Sequence, residues 1–464
     1  MKQQEHPTVR RYLARADAGQ VRSDAVVTMD ADELHALCVA CGASDAGFVE
    51  IDRPELAPQR SQLEQLLPGV QTAISLVRKM NRAAAASPTR SIANHEFHAT
   101  YDEVNDVARK LVERLTARGV AAINAVAAFP MEAQLYPGKT FVIQHKPIAE
   151  AAGMGRMGIH RNVIHPRFGN FILLDTVLIS AQVQKPSTPV DYNPCLECKL
   201  CVAACPVDAI GADGSFNFSA CMSHNYRDFL GGFNNWVDQL VESKDRMDYR
   251  ERVSEGETTA VWQSLSFKPS YKAAYCVSVC PAGDDVIGHF LPDKAAYKEQ
   301  VLKPFQATKE LVYVLPNSDA EARVPQRYPH KTARRVAWSM PGDIYTFLFN
   351  LTLSFQRMKS KGLDLKCNLQ LGGALPVEAN LSIAQQRLQL DLGLATGPVA
   401  LTVRASGEDF MRCFQLDADV LGLLGSGAVA LEGAGDTRAH FLALLKCFPG
   451  YGYIKPQPAA VPEG

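Results

Sequence analysis

The spacing of four cysteines near the middle of the chain is the strongest chemical signal in the sequence. Cys195, Cys198 and Cys201 are separated by gaps of two residues, and Cys205 follows three residues further on, directly before Pro206. Three thiolates at this spacing wrap a loop around one face of an iron–sulfur cluster, because soft thiolate ligands stabilise iron. Zinc sites rarely combine this spacing with a trailing proline. The motif therefore predicts a 4Fe–4S cluster held in a ferredoxin-type loop.

A second and shorter set of cysteines lies downstream. Cys276 precedes Cys280-Pro281 by a gap of three residues, and Cys221 precedes them both. In ferredoxins with two clusters, the cysteine before the proline serves the cluster of the other motif. This crossed pattern predicts two ligand sets, which are Cys195, Cys198, Cys201 and Cys280 for the first cluster, and Cys205, Cys221 and Cys276 for the second.

The second ligand set lacks one thiolate. A complete motif would carry cysteine at position 273, where the chain has Ala273. Three interpretations stay open. The second cluster is 3Fe–4S, which needs only three thiolates; it is 4Fe–4S with a non-cysteine ligand such as His224; or it is absent.

A glycine-rich segment upstream of the cysteines carries a family resemblance. Residues 151–162 read Ala-Ala-Gly-Met-Gly-Arg-Met-Gly-Ile-His-Arg-Asn, and residues 166–171 read Pro-Arg-Phe-Gly-Asn-Phe. Followed by the four-cysteine motif and the shortened second motif, this order resembles the epoxyqueuosine reductases and reductive dehalogenases. These are cobalamin-dependent iron–sulfur reductases, and the resemblance covers about residues 30–290.

The resemblance implies a nitroreductase-like α/β core with a corrinoid between that core and the ferredoxin module. Gly153, Gly155 and Gly158 would then let the backbone approach a large flat cofactor, since glycine has no side chain to obstruct it. His145 and Arg161 flank this segment and are further candidates for cofactor contacts. Clusters beside the corrinoid would reduce cobalt one electron at a time.

The resemblance also suggests proton donors. Epoxyqueuosine reductases carry an aspartate upstream of the glycine segment, but the corresponding count here reaches Lys139. Reductive dehalogenases use a tyrosine helped by a basic residue, so Tyr136 and Lys139 are the expected catalytic pair. A nearby lysine lowers the pKa of a phenol, which can then protonate a forming anion. His160 is a further catalytic candidate.

Hydrophobic periodicity supplies the framework around these residues. A helix is predicted from Asp30 to about Gly42, and apolar strands are predicted at 72–77, 121–129 and 171–178. Tyr101, Val104 and the apolar residues after them repeat at helical spacing. Alternation of helices with apolar strands indicates α/β architecture for this region.

The C-terminal region has a different pattern of apolar residues. Apolar residues alternate along 363–371, 388–394 and 399–403, and a helix is predicted at about 437–448. The pattern indicates an antiparallel sheet with helices on one side. Together with Ser406 followed by Asp409, it resembles sterol-carrier-protein-like domains, which implies a hydrophobic tunnel for an apolar small molecule. The alternative is a docking or dimerisation domain.

The predicted fold class is therefore an α+β or α/β multidomain protein. Its regions are a flexible N-terminus (1–28), an α/β corrinoid-binding-like domain (29–188), a ferredoxin-type module (189–290) with an insertion (222–275), a linker (291–339), a sterol-carrier-protein-like domain (340–452) and a tail (453–464).

The amino-acid composition gives no indication of a nucleic-acid-binding or membrane protein. The 48 basic and 49 acidic side chains balance, which gives no signal for nucleic-acid or membrane-surface binding, and no run of 18 apolar residues predicts a membrane span. Arg10-Arg11 lacks the apolar stretch of an export signal, so the cytoplasm is expected.

The predicted function is an iron–sulfur oxidoreductase that receives electrons from ferredoxin or flavodoxin and acts on a corrinoid or an apolar substrate. Transfer RNA would be a partner only of an epoxyqueuosine reductase-like enzyme. The alternative is an electron-transfer protein with a hydrophobic-ligand domain.

Overall fold

The N-terminal region of the computed structural model is a sheet covered by helices on both faces; the structure describes residues 3–17, 26–125, 141–229, 231–336, 343–415 and 418–449. Its elements are α1 (Pro7–Asp17), β1 (Thr28–Met29), α2 (Ala31–Cys41), β2 (Asp45–Glu50), α3 (Arg60–Leu66), β3 (Thr72–Lys79), α4 (Arg82–Ala85), α5 (Arg90–Ala117), β4 (Ala122–Asn124), α6 (His145–Ala151), β5 (Arg156–Met157), β6 (Val163–Ile164), β7 (Ile172–Ile179) and β8 (Gln182–Val183). The sheet has the order β2–β3–β7–β4. Helices α2 and α5 pack on one face, and α3 and α6 pack on the other.

Local signals predicted α2, β3, α5, β4 and β7, whereas α1 lies in the segment 1–28 that was predicted to be flexible. The side chain of Asp30 accepts hydrogen bonds from two backbone N–H groups and so begins α2, while Gly42 ends it with φ +113°. Neighbouring strands of the sheet are antiparallel throughout. The described part of the sheet therefore contains no neighbouring parallel strands. Strands β3 and β4, which α4 and α5 connect, run in the same direction but are separated by β7, which is antiparallel to both. Among the described residues, no helix combines the length and apolar character needed to cross a membrane.

The cysteine region is made of short helices and continues past residue 290. Its elements are α7 (Leu200–Ala204), α8 (Phe218–His224), α9 (Gly232–Glu242), α10 (Arg246–Arg252), α11 (Glu255–Ser266), α12 (Tyr275–Ser278), α13 (Asp284–Ile287), α14 (Lys294–Tyr297), α15 (Lys303–Ala307), β9 (Leu311–Val314), α16 (Asp319–Arg327) and β10 (Thr332–Arg335). Helices α9, α10 and α11 form the insertion that the sequence predicted between Cys221 and Cys276.

The segment predicted as a linker is instead part of this module. Strands β9 and β10 pair in parallel, and Val312 and Val314 are buried in one core with Cys205 and Cys221. The polar residues that suggested a linker have structural roles. Ser318, for example, accepts the hydrogen bond that begins α16. Residues that cap helices and form turns are polar, as linker residues are. Composition alone therefore did not distinguish this part of the module from a linker.

The C-terminal region is a second sheet with its own core. Its elements are α17 (Ile344–Ser354), β11 (Leu365–Gly372), β12 (Val377–Ala384), β13 (Arg387–Leu392), β14 (Leu401–Ser406), α18 (Gly407–Arg412), α19 (Val420–Gly425), β15 (Val429–Glu432) and α20 (Thr437–Lys446). The strand order is β13–β12–β11–β14–β15. The alternation predicted along β11 is present, since its apolar side chains are buried in turn. The antiparallel prediction needs one correction, because β11 and β14 pair in parallel.

Candidate iron–sulfur site

The first cysteine motif forms a tight loop that leads into α7. The backbone N–H of Cys195 donates to the Asn193 side-chain oxygen at 2.9 Å, which fixes the entry of the loop. Glu197 and Lys199 adopt left-handed φ values of 48° and 61°. These two residues curl the backbone between the cysteines, and Cys201 then lies on the buried side of α7. The loop can therefore present several thiols to one side.

A contact between two glycines brings Cys280 to this loop. Gly169 has φ +64° and Gly283 has φ +108°, both in the left-handed region that favours glycine. A Cβ atom on Gly169 would clash with the carbonyl oxygen of Ala282, and one on Gly283 would clash with the backbone of Gly169. Two backbone hydrogen bonds beside the glycines hold the same contact. The segment after Cys280 is thus fixed against the N-terminal region.

Four thiols from these separate segments line one cavity. They are Cys195, Cys198, Cys201 and Cys280, and the side chains of Ile159 and His160 lie against the same space. The space is about 280 Å³ and includes part of the solvent at its mouth. Across the described residues, no three His, Cys, Asp or Glu side chains converge on the position of a single metal ion. The structure brings together the four residues predicted to hold the first cluster.

The other three cysteines form a second group in an apolar environment. Cys205, Cys221 and Cys276 belong to one apolar cluster, and the backbone N–H of Ala209 donates to Cys205 Sγ at 3.2 Å. Burial and then the neighbouring Cys205 raise the pKa of Cys276 to about 12. Burial, Cys205 and Cys276 raise the pKa of Cys221 in the same direction. The three thiols therefore lie within electrostatic reach of one another, where iron would take the place of their protons.

Position 273, where a complete motif would carry the fourth cysteine, is packed against the rest of the protein. Ala273 is buried, and its backbone N–H donates to the Asn225 side-chain oxygen at 3.1 Å. His224, the alternative ligand, accepts a hydrogen bond at Nδ1 from the Tyr313 N–H at 3.3 Å. Burial, and then the neighbouring cations Lys272, Lys331 and Arg227, lower the pKa of His224 to about 3, so the ring is neutral at pH 7. Its Nε2 has no hydrogen-bond partner among the described residues, so a second cluster held by three thiolates and one with His224 as a fourth ligand both stay open.

The three glycines predicted to approach a cofactor approach the chain itself. A Cβ on Gly153 would lie 2.5 Å from the Thr188 carbonyl oxygen, and one on Gly155 would clash with the Ile164 carbonyl. A Cβ on Gly158 would meet the Ile164 side chain at 2.7 Å. Packing of the chain on itself thus also requires glycine at these positions, and their approach to a cofactor stays a prediction.

His160 and Arg161 lie next to this packing. His160 is buried; its Nδ1 accepts the Asn162 N–H at 3.1 Å, and its Nε2 lies 3.2 Å from the Asn170 side-chain amide. Burial and then Lys146 lower the pKa of His160 to about 4, so the ring is neutral at pH 7. The guanidinium of Arg161 donates to the Gly214 carbonyl at 3.3 Å. Both residues make contacts that stabilise the wall of the first cavity, and their catalytic and cofactor roles stay predictions.

A buried polar pair lies on the other side of the glycine-rich segment. His145, the first residue of α6, has Nδ1 2.9 Å from Thr176 Oγ1 and 3.9 Å from Asp175 Oδ1. Within the described residues, His145 Nε2 and Asp175 Oδ2 have no hydrogen-bond partner. Burial raises the pKa of Asp175 to about 8 and lowers that of His145 to about 4.

Sequence analysis missed Asp175. The signal that could have identified it is a single acid within the apolar run at 171–178, since a buried carboxyl group requires a compensating interaction or a role. Tyr136 and Lys139, the expected proton donors, lie outside the described residues.

Comparison with known proteins agrees with the cysteine geometry. Residues 188–211 match the family model described as a 4Fe-4S binding domain. The chain is 33% identical over 191 residues to an epoxyqueuosine reductase of Staphylococcus aureus; the alignment spans 41% of this chain and 40% of the relative. A solved epoxyqueuosine reductase from Streptococcus thermophilus is 16% identical, with a TM-score of 0.32 over 58% of this chain and 74% of that one. A reductive dehalogenase structure, described as suggesting a mechanism for B12-dependent dehalogenation, is 14% identical, with a TM-score of 0.36 over 59% of this chain and 34% of that one.

Proposed function

We propose that this chain is an iron–sulfur reductase that passes electrons through two clusters to an organic substrate beside the first turn of α6. The observation that carries the proposal is the convergence of Cys195, Cys198, Cys201 and Cys280 on one cavity. Thiolates at this spacing, joined by one cysteine before a proline from a distant segment, are the ligand set of a ferredoxin-type cluster. The similarity to an epoxyqueuosine reductase over 191 residues supports a reductase.

The first cluster would be 4Fe–4S and would receive electrons from outside. Its four thiols suit this cluster type, and its cavity opens to solvent beside Leu196, whose side chain is 43% exposed. A cluster near the surface is accessible to an external donor of the ferredoxin or flavodoxin class. When bound, such a cluster carries one electron at a low potential.

The second cluster would be the exit. Cys205, Cys221 and Cys276 would hold it, as 3Fe–4S or as 4Fe–4S with a fourth ligand from outside this set. The cation of Lys146, the second residue of α6, lies within electrostatic reach of Cys221 and Cys276. Electrons at this cluster therefore arrive beside the start of α6.

The proposed substrate position is defined by the buried pair on α6 and β7. His145 Nε2 and Asp175 Oδ2 lack partners among the described residues, and an unsatisfied buried polar atom calls for a ligand or a functional explanation. Among the described residues, strand β4 pairs with the last three residues of β7, and Asp175 lies two residues before that pairing. A carboxyl group that stays protonated at pH 7 could donate a proton to a reduced substrate.

The corrinoid implied by the resemblance has no assigned position in this proposal. The carbonyl oxygens of Thr188 and Ile164 occupy the side of Gly153 and Gly155 on which a Cβ would lie, so a flat cofactor would have to approach the segment from another side. The roles proposed here belong to this chain's own residues and the two clusters that they would hold. A bound corrinoid would be detected in the cofactor analysis described below.

For the C-terminal region we propose a docking role in place of lipid transport. Its core is filled by phenylalanines in edge-to-face contact, including Phe347, Phe410 and Phe414. The buried Gln356 side chain donates to Ser219 Oγ at 3.0 Å, and Ser219 lies on α8 near Cys221. The region thus supports the helix that carries one ligand of the second cluster.

The test is anaerobic purification of the full chain followed by iron, sulfide and cobalt analysis and electron paramagnetic resonance. We expect two distinct clusters in the wild-type chain and loss of the first signal alone in Cys198→Ser. Cys38→Ser is the matched control, because Cys38 is a buried cysteine in α2 outside both ligand sets. A chain that holds no iron after reconstitution would overturn the proposal. Clusters that cycle without reducing any organic acceptor would identify the alternative, an electron-transfer protein.

A further inference from the structure

Lys146 is a cation held between the glycine-rich segment and the second set of thiols. Its Nζ donates to the Arg161 carbonyl at 2.6 Å and to the Asn162 side-chain oxygen at 3.3 Å. The lysine charge lowers the pKa of both Cys221 and Cys276, which places it within electrostatic reach of two of the three ligands. Burial lowers the pKa of Lys146 itself, and the same two cysteines oppose that shift. The ammonium group is therefore held by two oxygen atoms of the glycine-rich segment.

Asn162 connects this cation to the cluster site by a direct contact. Its side-chain nitrogen donates to Cys276 Sγ at 3.9 Å, a long hydrogen bond even for a sulfur acceptor. Its backbone is fixed on both sides, since its N–H donates to His160 and its carbonyl accepts from Gly158. The orientation of the amide is also fixed, because its oxygen accepts from Lys146 and only the nitrogen is left to face the sulfur. Lys146, Asn162 and Cys276 thus form one chain of contacts.

We propose that Lys146, directly and through Asn162, makes the second cluster the more positive in reduction potential of the two. Reduction adds negative charge to a cluster, and a nearby cation or an N–H···S hydrogen bond stabilises that charge. At the first cavity Lys199 lies within electrostatic reach of Cys198, but it pairs with Glu197 at 3.4 Å, and the carboxylate offsets its charge. This inference rests on the proposed function and adds to it the direction of electron transfer, from the first cluster to the second.

The direction follows from electron balance. Cys195, Cys198, Cys201 and Cys280 would hold the cluster that accepts an electron from the external donor. Cys205, Cys221 and Cys276 would hold the cluster to which that electron passes, so that the first would be reoxidised as the second is reduced. The charge of Lys146 would make that transfer favourable and would retain electrons beside the first turn of α6, where the substrate is proposed to bind.

The experiment is a redox titration of the reconstituted full chain, followed by electron paramagnetic resonance so that each cluster is measured separately. In Lys146→Met, we expect the ratio of reduced to oxidised second cluster at a fixed potential to fall about tenfold, which is about 59 mV for one electron. Lys146→Arg keeps the charge and should stay near the wild-type potential. Lys199→Met is the matched control for a lysine beside the first cavity, and it should leave the second cluster unchanged.

Asn162→Ala gives an independent measurement if Lys146→Met fails to fold. It should shift the second cluster in the same direction and leave the first in place. The inference is overturned if neither variant moves the second potential, or if both clusters move equally. Iron content and the presence of two signals in the wild-type chain test the proposed function separately, so failure of one is distinguishable from failure of the other.

Discussion

Substitution of Gly169 by alanine tests how the structure brings the two cysteine segments together. Gly169 lies in the left-handed region, and a Cβ there would overlap the carbonyl oxygen of Ala282. Ala282 is two residues from Cys280, the ligand that the second segment contributes to the first cavity. The added methyl group should therefore push this ligand away from the other three.

Two energetic costs add at this position. An L-residue in the left-handed region costs about 1–2 kcal/mol. Overlap with fixed backbone adds about 1–3 kcal/mol, because contacts below 3.0 Å require the chain to separate by roughly 1 Å. The sum is about 2–5 kcal/mol of lost stability. A displacement of that size also exceeds the roughly 0.5 Å within which functional groups must be held.

Gly119→Ala separates the two costs. Gly119 has φ +86°, and no atom lies within 4 Å of the Cβ position, so only the backbone strain applies. Chemical unfolding of both variants should therefore differ by the overlap energy of about 1–3 kcal/mol. Iron analysis and electron paramagnetic resonance should show that Gly169→Ala loses the first cluster and that Gly119→Ala keeps it. If Gly169→Ala retained the first cluster and matched Gly119→Ala in stability, the proposed docking of Cys280 would be refuted.

Three further variants test the cluster assignments and the buried acid. Cys205→Ser should disturb the second cluster and spare the first by electron paramagnetic resonance; loss of the first signal alone would contradict the crossed ligand sets. Ala273→Cys should convert a three-iron second cluster to a four-iron form, and unchanged iron content and spectra would reject this. Asp175 has a pKa raised to about 8 by burial, so its folded form keeps a proton that the unfolded form releases near pH 4. Stability should therefore fall between pH 4 and 8, on the order of 1 kcal/mol per pH unit, and Asp175→Asn should flatten that fall in unfolding experiments. Equal slopes for the two chains would exclude a raised pKa.

The amino-acid sequence by itself determined the features that depend on neighbouring residues. The gaps between Cys195, Cys198 and Cys201 specify a ligand loop whatever surrounds them, since a loop of this length reaches around one cluster face. Asp30 and Gly42 mark the ends of α2 because capping uses only adjacent backbone groups. Alternation along β11 likewise identified the buried face of one strand.

The tertiary structure decided what depends on contacts between distant segments. The convergence of Cys280 with Cys195 requires the close approach of Gly169 and Gly283, and no local pattern in the sequence encodes that meeting. The same applies to Asp175, whose burial and partners come from other elements of the fold. It also applies to the parallel pairing of β9 with β10, since strand direction depends on where the chain returns and not on its periodicity. The spacing of the cysteines along the sequence indicates which kind of cofactor they bind. Tertiary packing determines which of these cysteines share one site.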